Sequence, residues 1–331
     1  MENFNLFIGI DVSKNSIDVC CLKNDIVLYS GKFENTKPGI RKFVGQLKKL
    51  KDYSCQDTLF CMENTGLYSL KTALFLLDFN IKHIWIETPI QIIYSQGMLR
   101  GKTDKIDAQR IATYAQRFYG KATTFQADPL LLKLKSLMNL RSIMLSCKHK
   151  LQVSKKEYDQ VAFFVDIKLR NKLISQIFRQ VEITIKKIEI AIQQTLNEDP
   201  VILKRYLQIT SITGVGKMTA IEVILATANF TRINDPRKFA CYSGVAPFVY
   251  DSGTIKTRAR VSDQANKNVK KTLHMAAMSA IQVKGDLQTY YQRKVEEGKN
   301  KMSVLNAVRN KIIHRIFACV NQNKFYKVDL N

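Results

Sequence analysis

Leu6-Phe-Ile-Gly-Ile-Asp11 and Ile17-Asp-Val-Cys-Cys-Leu22 are two short runs rich in apolar and β-branched residues, separated by a polar turn at Lys14-Asn15. A third run, Ile26–Tyr29, follows the polar triplet Lys23-Asn24-Asp25. Runs of this length that are bounded by turn residues are typical of strands. The sequence therefore predicts that the chain begins with three consecutive strands.

Helix-like and strand-like segments alternate after the third run. The predicted elements, in order, are a helix over Gly39–Leu50, a strand over Thr58–Met62, a helix over Leu67–Leu77, a strand over His83–Ile86, and helices over Pro89–Met98 and from Asp104 onward. Three strands followed by this alternation predict an α/β domain with a mixed sheet. The order of elements is that of an RNase H-like fold, although many α/β topologies share most of it.

The middle of the chain has a different character, because glycine is absent from Lys121 to Thr213 and proline from Leu130 to Asp199. Apolar residues there recur at steps of three and four. The two series are Leu137, Leu140, Met144, Cys147 and Leu151, then Ile174, Phe178, Val181, Ile185, Ile188 and Ile192. This spacing predicts a long antiparallel coiled-coil hairpin joined near Ser154 to Asp166. Two ordinary core helices of a globular domain would show the same stripe.

The last third regains glycine and proline and is expected to be mainly helical. Gly214 and Gly216 lie between two apolar helical stretches, and Lys217 follows them, as in a helix-hairpin-helix. Glycines at such a turn let backbone N–H groups approach a phosphate, and a helix N-terminus adds partial positive charge. A tight helix–helix turn without nucleic acid would use the same glycines. Further along, a basic run contains Lys256, Arg258, Arg260, Lys267, Lys270 and Lys271.

The charge balance points to a polyanionic partner. The 331 residues include 52 Lys and Arg against 28 Asp and Glu, which gives a formal net charge of +24. Such a charge on a chain that is 46% hydrophobic indicates a folded protein that binds a polyanion, and nucleic acid is the first expectation. Charge retained only for solubility is the alternative.

Several classes of protein are not expected from the composition. No apolar run is long enough to cross a membrane, and the N-terminal residues lack the features of a signal peptide, so a cytoplasmic protein is predicted. Seven cysteines without a CxxC pair argue against a disulfide framework, and only four scattered histidines leave little for a zinc site.

Four carboxylates are the candidate catalytic residues. Asp11 and Glu63 follow apolar strands, and Asp104 and Asp107 are spaced to share one face of a helix. Carboxylates that converge from separate elements repel one another, and metal ions are the usual compensation. Two Mg²⁺ ions in such a site can activate a nucleophile and stabilise a leaving oxygen in phosphodiester cleavage. Each residue alone also has a simpler interpretation as a turn residue, a surface charge or an N-cap.

The motifs resemble those of a known family. Gly9-Ile-Asp11-Val-Ser13-Lys, Glu63-Asn-Thr-Gly66 and Lys102-Thr-Asp104-Lys-Ile-Asp107-Ala are similar to the DEDD motifs of the IS110 family of insertion-sequence transposases. Gly214-Val-Gly216, Gly244-Val-Ala-Pro247 and Asp251-Ser252-Gly253 are similar to the second domain of that family. The resemblance implies a RuvC-like nuclease domain (1–120), a coiled-coil helical linker (121–205) and a C-terminal transposase domain (206–331).

The resemblance also implies roles for individual residues. Asp11, Glu63, Asp104 and Asp107 would hold Mg²⁺, with two ions expected and Mn²⁺ as a substitute. Ser252 would be a nucleophile that forms a phosphoserine link to DNA. The sequence alone does not single out Ser252, because Asp-Ser-Gly is also a plain turn and Ser243 has a similar setting.

The family is one of DNA recombinases that move their own element, and a structured non-coding guide RNA selects donor and target DNA. The implied partners are therefore double-stranded DNA, that RNA and further copies of the chain, in a dimer or tetramer. Two other functions fit the residues. One is a structure-specific junction nuclease that uses the carboxylates and water without Ser252. The other is a non-enzymatic nucleic-acid-binding protein.

Overall fold

The amino-terminal part of the chain forms a five-stranded mixed sheet. In a computed structural model that describes residues 4–95, 103–249, 260–262 and 264–327, the chain divides into two units, Met1–Ala127 and Asp128–Asn331. The strands of the first unit are β1 (Leu6–Val12), β2 (Ser16–Lys23), β3 (Ile26–Glu34), β4 (Thr58–Glu63) and β5 (Ile84–Glu87). Their order across the sheet is β3-β2-β1-β4-β5.

The first three strands are antiparallel, whereas β1, β4 and β5 run parallel to one another. Asn24 and Asp25 connect β2 to β3 with φ angles of 49° and 65°. Asn and Asp tolerate this left-handed conformation, which a two-residue hairpin turn requires. The predicted mixed sheet of an α/β domain is confirmed.

Helices cover both faces of the sheet. They are α1 (Lys37–Leu47), α2 (Leu67–Asp78), α3 (Pro89–Tyr94) and α4 (Asp104–Phe118), followed by a 3₁₀ turn over Tyr119–Lys121. Ile8, Ile10 and Phe60 are buried with α1 and α2 on one face. Phe7, Leu59 and Trp85 are buried against Ile111 and Tyr114 of α4 on the other. The side chains of Thr36 and Thr103 cap α1 and α4 by accepting hydrogen bonds from Gly39 N and Ile106 N.

Gly9 fixes how closely α4 lies on the sheet. A Cβ atom at Gly9 would be 2.1 Å from the Ala108 carbonyl oxygen and 2.3 Å from the Ala112 nitrogen. Only glycine allows the backbone of α4 to approach β1 this closely. The start of α4 is thereby held over the same sheet face that carries Asp11, two residues after Gly9.

The second unit is mainly helical, as expected for the carboxy-terminal part. Its helices are α5 (Pro129–Asp159), α6 (Lys168–Asn197), α7 (Pro200–Thr210), α8 (Lys217–Thr227), α9 (Pro236–Tyr242), α10 (Lys267–Ala280), α11 (Asp286–Glu296) and α12 (Lys301–Asn321). A small ladder pairs β6 (Pro247–Phe248) with β7 (Arg260–Val261). Leu134 of α5 and Ile192 of α6 belong to the same buried core as residues of α7–α12.

Helices α5 and α6 are antiparallel neighbours. Ion pairs join Lys133 to Glu198 at 2.6 Å, Arg141 to Glu189 at 2.8 Å and Lys148 to Glu182 at 2.8 Å. The connection spans residues 160–167, because α5 continues beyond Ser154 to Asp159. The hairpin is thus observed, whereas coiled-coil packing along it and the domain boundaries at 120 and 205 stay predictions. Among the described residues, no helix is both long and apolar enough to span a membrane.

Candidate active site

A row of charged side chains crosses the sheet of the first unit at one level. Asp11 on β1 lies opposite Asp18 on β2, and Asp18 lies opposite Lys32 on β3. The register that pairs Ile10 with Met62 sets Glu63 level with Asp11, and Glu63 is paired with Glu87 on β5. Laterally paired residues point to the same face of a sheet. Four carboxylates and one lysine therefore share one face; we call Lys32, Asp18, Asp11, Glu63 and Glu87 the acidic row.

Helix α4 brings the other two predicted carboxylates to this face. Asp104 and Asp107 lie in its first turn, above the sheet face to which Gly9 and Asp11 point. A carboxylate oxygen of Asp104 lies 3.5 Å from Lys32 Nζ, which joins α4 to the acidic row. Asp107 is held instead by Arg110 at 2.6 Å. The four predicted carboxylates thus lie on the same face of the sheet, and each of the two on α4 forms an ion pair with a basic side chain.

Lys32 occupies the space between two carboxylates. Its Nζ lies 3.1 Å from Asp18 and 3.5 Å from Asp104. Hydrogen bonding and charge from Asp18, and more weakly from Asp104, raise the pKa of Lys32. A lysine ammonium here offsets part of the repulsion among the carboxylates.

Negative charge in the acidic row also acts on the side chains buried beneath it. The pKa of the Cys61 thiol is raised well above its usual range, first by burial and then by the charges of Glu87 and Glu63. The pKa of the Tyr114 phenol is likewise raised by burial, by Glu87 and by Cys61. Burial is the larger cause in both cases, and the neighbouring carboxylates add to it.

The donor set fits a hard divalent cation, because Mg²⁺ and Mn²⁺ prefer carboxylate oxygens. Among the residues that the structure describes, no three Asp, Glu, His or Cys side chains are close enough together to hold a metal ion in the present arrangement. Asp104 and Asp107 are paired with Lys32 and Arg110. Lys32 and Arg110 therefore neutralise part of the charge of the two α4 carboxylates.

Two members of the acidic row were missed by the sequence analysis. Asp18 lies in the apolar run of β2, and its side chain is only 15% exposed. Glu87 ends β5 in the same way that Glu63 ends β4. One Glu87 oxygen accepts hydrogen bonds from the Thr88 backbone N–H at 2.6 Å and the Thr88 hydroxyl at 3.1 Å, and the other from the Tyr114 hydroxyl at 3.4 Å. The position of Glu87 at the end of a parallel strand was the available signal.

The two glycines of the α7–α8 turn have different environments. Gly214 has a φ of +84°, and a Cβ there would be 2.5 Å from the Ala276 carbonyl oxygen and 2.6 Å from the Ala280 Cβ. Packing against α10 therefore requires glycine at this position. Gly216 is the N-cap of α8, where a Cβ would meet open space, and it is exposed together with Lys217.

The structure describes only some of the basic residues that are predicted to bind nucleic acid. Lys267, Lys270 and Lys271 occupy the first turns of α10, and Arg260 is exposed on β7. Ser252, Lys256 and Arg258 lie outside the described residues. Ser243, the similar serine, is buried and its hydroxyl donates to the Ala240 carbonyl oxygen at 3.2 Å, a structural contact.

Comparisons with known proteins agree with the motifs. Residues 8–154 match a family model for the DEDD transposase of the IS110 family, and residues 206–292 match the model described as transposase IS116/IS110/IS902 family. The chain is 24% identical over 322 residues to the pilin gene-inverting proteins of Moraxella bovis and Moraxella lacunata, and each alignment covers 96% of both chains.

A shorter match links the chain to an insertion element. The uncharacterised 43.6 kDa protein of insertion element IS110 from Streptomyces coelicolor is 26% identical over 119 residues, which is 36% of this chain and 29% of that protein. The two family models match in the order that the motifs require, and the first spans the acidic row and α4. The chain therefore belongs to the IS110 family of transposases, DNA recombinases that act by phosphoryl transfer.

Proposed function

We propose that this protein excises and inserts its own insertion sequence by cutting and rejoining DNA strands at two chemical centres. The observation that carries the proposal is the acidic row beneath the first turn of α4, in a chain that also has the family's carboxy-terminal motifs. We also assign the first unit to the RNase H-like fold. The sheet order β3-β2-β1-β4-β5, with three antiparallel strands followed by two parallel ones, supports that assignment.

The first centre consists of Asp11, Glu63, Asp104 and Asp107 as ligands of Mg²⁺, with two ions expected and Mn²⁺ as a substitute. A divalent cation bound there would polarise the scissile phosphate and stabilise the departing oxygen. Asp11 and Glu63 are held by neighbouring strands, which keeps their spacing fixed. Asp104 and Asp107 are carried by a helix that Gly9 docks onto the same sheet face. Lys32 and Arg110 neutralise these two carboxylates when no cation is bound.

The second centre is Ser252. Its hydroxyl oxygen attacks the phosphorus, a serine–phosphate ester forms, and the bond from phosphorus to the leaving sugar oxygen breaks. The serine proton passes to a base and the leaving oxygen takes up a proton. Attack of a sugar hydroxyl of the new strand on the ester reverses these steps and rejoins the DNA. Arg258 and Arg260 would stabilise the extra negative charge of the transition state.

The proposed partners are double-stranded DNA, as donor and target, and a structured non-coding RNA that guides their choice. The formal charge of +24 supports nucleic-acid partners. Residues 129–197 alone contain thirteen Lys and Arg against five Asp and Glu. Gly216, Lys217, Lys256, Arg258, Arg260, Lys267, Lys270 and Lys271 form the proposed nucleic-acid surface, and Gly214 shapes the turn that presents Gly216 and Lys217. Because recombination joins two duplexes, we propose that the protein acts as a homo-oligomer, a dimer or tetramer.

Two variants test this mechanism against the alternatives. The full-length protein, Asp11→Asn, Ser252→Ala and the control Ser175→Ala, which alters an exposed serine on α6, are incubated with element-end DNA, Mg²⁺ and RNA transcribed from the element. Denaturing gels then measure cleavage and covalent protein–DNA adducts. We expect Ser252→Ala to lose the adduct and Asp11→Asn to lose cleavage, with Ser175→Ala unchanged.

The other outcomes separate the competing functions. Cleavage that survives in Ser252→Ala but not in Asp11→Asn would indicate a junction nuclease that uses water. Binding without cleavage by any form would indicate a non-enzymatic nucleic-acid-binding protein. Inverted rather than excised products would indicate a function like that named for the Moraxella relatives.

A further inference from the structure

Arg309 of α12 is a buried charge without a counterion. The residue is almost fully buried, and burial lowers the pKa of its guanidinium. In the part of the chain that the structure describes, no carboxylate lies within ion-pair distance of it, and its Nε has no hydrogen-bond partner. A buried charge without a counterion destabilises a protein, and apolar side chains of similar volume are often at least as favourable. Stability alone therefore does not explain an arginine at this position.

The guanidinium of Arg309 orients Asn306, which lies one turn earlier on α12. Arg309 donates to Asn306 Oδ1 at 3.4 Å and to His274 Nδ1 on α10 at 2.9 Å. Because the amide oxygen of Asn306 faces Arg309, its NH₂ group faces the Val245 carbonyl oxygen and donates to it at 2.8 Å. An amide that accepts at one end and donates at the other has a fixed orientation. Asn306 thus connects the buried charge to the backbone of Val245.

The backbone of Val245 is held from two sides. Its N–H donates to the Ala240 carbonyl oxygen of α9 at 2.9 Å, while its carbonyl oxygen accepts from Asn306. Its side chain belongs to the buried core of the second unit. The preceding residue, Gly244, has a φ of +63°, and a Cβ there would be 2.4 Å from the Ala265 Cβ. The position of Val245 relative to α9 and α12 is therefore fixed.

The strand β6 begins two residues after Val245 and pairs with the strand that carries Arg260. Phe248 lies opposite Arg260, and Pro247 lies opposite Val261. Both residues of β6 and Arg260 are exposed, so burial contributes little to this short ladder. A two-stranded ladder is only marginally stable by itself. The location of Arg260 therefore depends on where the chain leaves Val245.

We propose that Asn306 is a positioning residue which, through Val245 and β6, holds Arg260 where it contacts a nucleic-acid phosphate, and that Arg309 orients Asn306. The inference rests on the proposed role of Arg260 in the nucleic-acid surface. It adds residues beyond 206–292, the range that the second family model matches. It also gives the uncompensated charge of Arg309 a role in binding rather than in stability.

The variant Asn306→Asp separates positioning from stability. An aspartate still accepts from Arg309 and supplies the counterion that it lacks, but a carboxylate cannot donate to the Val245 carbonyl oxygen. We expect the free energy of unfolding in urea to equal or exceed that of the wild type, whereas nucleic-acid binding weakens. Asn310→Asp is the matched control, because it adds the same charge at an exposed position of the same helix.

Fluorescence anisotropy of the full-length protein over a series of salt concentrations measures the binding. The probes are mixed-sequence duplex DNA and, separately, mixed-sequence structured RNA. One lost phosphate contact lowers the slope of log K against log salt concentration by about 0.9 for duplex DNA. We expect a loss of about one contact in Arg260→Gln relative to the wild type, and in Asn306→Asp relative to Asn310→Asp. A loss with DNA alone or RNA alone identifies the nucleic acid that Arg260 contacts.

A double-mutant cycle shows whether Asn306 acts through Arg260. If it does, Arg260→Gln combined with Asn306→Asp should bind as well as Arg260→Gln combined with Asn310→Asp, because the contact is already lost. A purely structural role of Asn306 would give additive losses instead. Additive losses, or equal binding by Asn306→Asp and Asn310→Asp, would overturn the inference.

The variant Arg309→Met tests the orienting charge. We expect a free energy of unfolding close to that of the wild type, together with the weaker binding of Asn306→Asp. Wild-type binding by Arg309→Met would overturn the role of Arg309.

Failure of this inference is distinguishable from failure of the proposed function. If wild-type protein binds but forms no covalent adduct with DNA, the proposed chemistry fails while the cycle still decides the role of Asn306. Wild-type binding by Arg260→Gln would remove the proposed role of Arg260 and the inference with it.

Discussion

Asp11 and Asp18 lie directly opposite each other across the antiparallel pair of β1 and β2. Like charges in this position destabilise a sheet. Lys32, opposite Asp18 on the next strand, offsets the repulsion and reaches Asp104 on α4 as well. The acidic row is therefore partly neutralised by a side chain of the protein itself, and in the proposed mechanism Lys32 competes with a metal ion for Asp104.

Removing Lys32 should make the protein more dependent on a divalent cation. In metal-free buffer we expect Lys32→Gln to lower Tm by about 2 °C, as for the loss of a solvent-accessible ion pair. Added Mg²⁺ should then raise Tm more in the variant than in the wild type, because a ligand that binds only the native state stabilises it. Thermal unfolding with and without Mg²⁺ measures both effects.

Lys37→Gln is the matched control for that comparison. Lys37 forms an ion pair of 2.8 Å with Asp78, and its side chain is 53% exposed against 58% for Lys32. Its Mg²⁺ response should equal that of the wild type. Equal Mg²⁺ shifts in all three proteins would contradict the assignment of a cation site to the acidic row.

The close approach of α4 to β1 should make Gly9 intolerant of substitution. Gly9→Ala adds a Cβ within 2.1 Å of the Ala108 carbonyl oxygen, so α4 must move away from the sheet. We expect a loss of about 3 kcal/mol, the upper end for overpacking, in urea unfolding. Gly45→Ala in α1, where a Cβ meets nothing within 4 Å, should instead be neutral or slightly stabilising. A Gly9→Ala protein as stable as the wild type would show that α4 docks more loosely.

The strands that carry the site could be predicted, but their pairing could not. The prediction for β1 ends at Asp11 and the strand at Val12, because a buried apolar run marks it clearly. The prediction for β3 ends at Tyr29, whereas the strand continues to Glu34. β3 lies at the edge of the sheet and is half exposed, so hydrogen bonding to β2 rather than an apolar pattern defines its second half.

The same limit explains why Asp18 and Glu87 were missed. Their place in the acidic row depends on the register between strands that are far apart in the sequence. Register is set by packing of the whole sheet, which no local pattern contains. Asp104 and Asp107, by contrast, are three residues apart, and this spacing alone predicts the helix turn that they share.

Substitutions of the two glycines in the α7–α8 turn should have different effects, one on the stability of the protein and the other on nucleic-acid binding. Gly214→Ala should destabilise the protein by several kcal/mol, because a positive φ disfavours alanine and its Cβ would clash with α10. Gly216→Ala should cost only about 0.5 kcal/mol as an N-cap change, while reducing nucleic-acid affinity by obstructing the phosphate. Urea unfolding and anisotropy on the same preparations give both quantities. If folded Gly214→Ala protein bound nucleic acid more weakly in the absence of urea while Gly216→Ala bound as the wild type does, the roles of the two glycines would be reversed.

The contact between buried Arg309 and His274 should make the free energy of unfolding depend on pH in the weakly acidic range. Arg309 is 7% exposed, and its guanidinium donates to His274 Nδ1 at 2.9 Å and to Asn306 at 3.4 Å. The described residues place no carboxylate within ion-pair distance of it. Burial, and then the charge of Arg309, lower the pKa of His274 below its usual value of 6.5. Protonated His274 would lose its role as acceptor and would repel the guanidinium.

The sign of the pH effect follows from the lowered pKa of His274. As pH falls through 6.5, the histidine of the unfolded chain takes up a proton before that of the folded chain does. The contribution of His274 to stability is therefore complete above pH 6.5 and decreases as the pH falls towards and through its lower folded-state pKa. Urea unfolding over this range should show less of this decrease in His274→Gln, whose amide oxygen can still accept from Arg309 but does not titrate. His314→Gln, which alters an exposed histidine on α12, is the control. An identical pH profile for wild type and His274→Gln would show that another group governs acid stability.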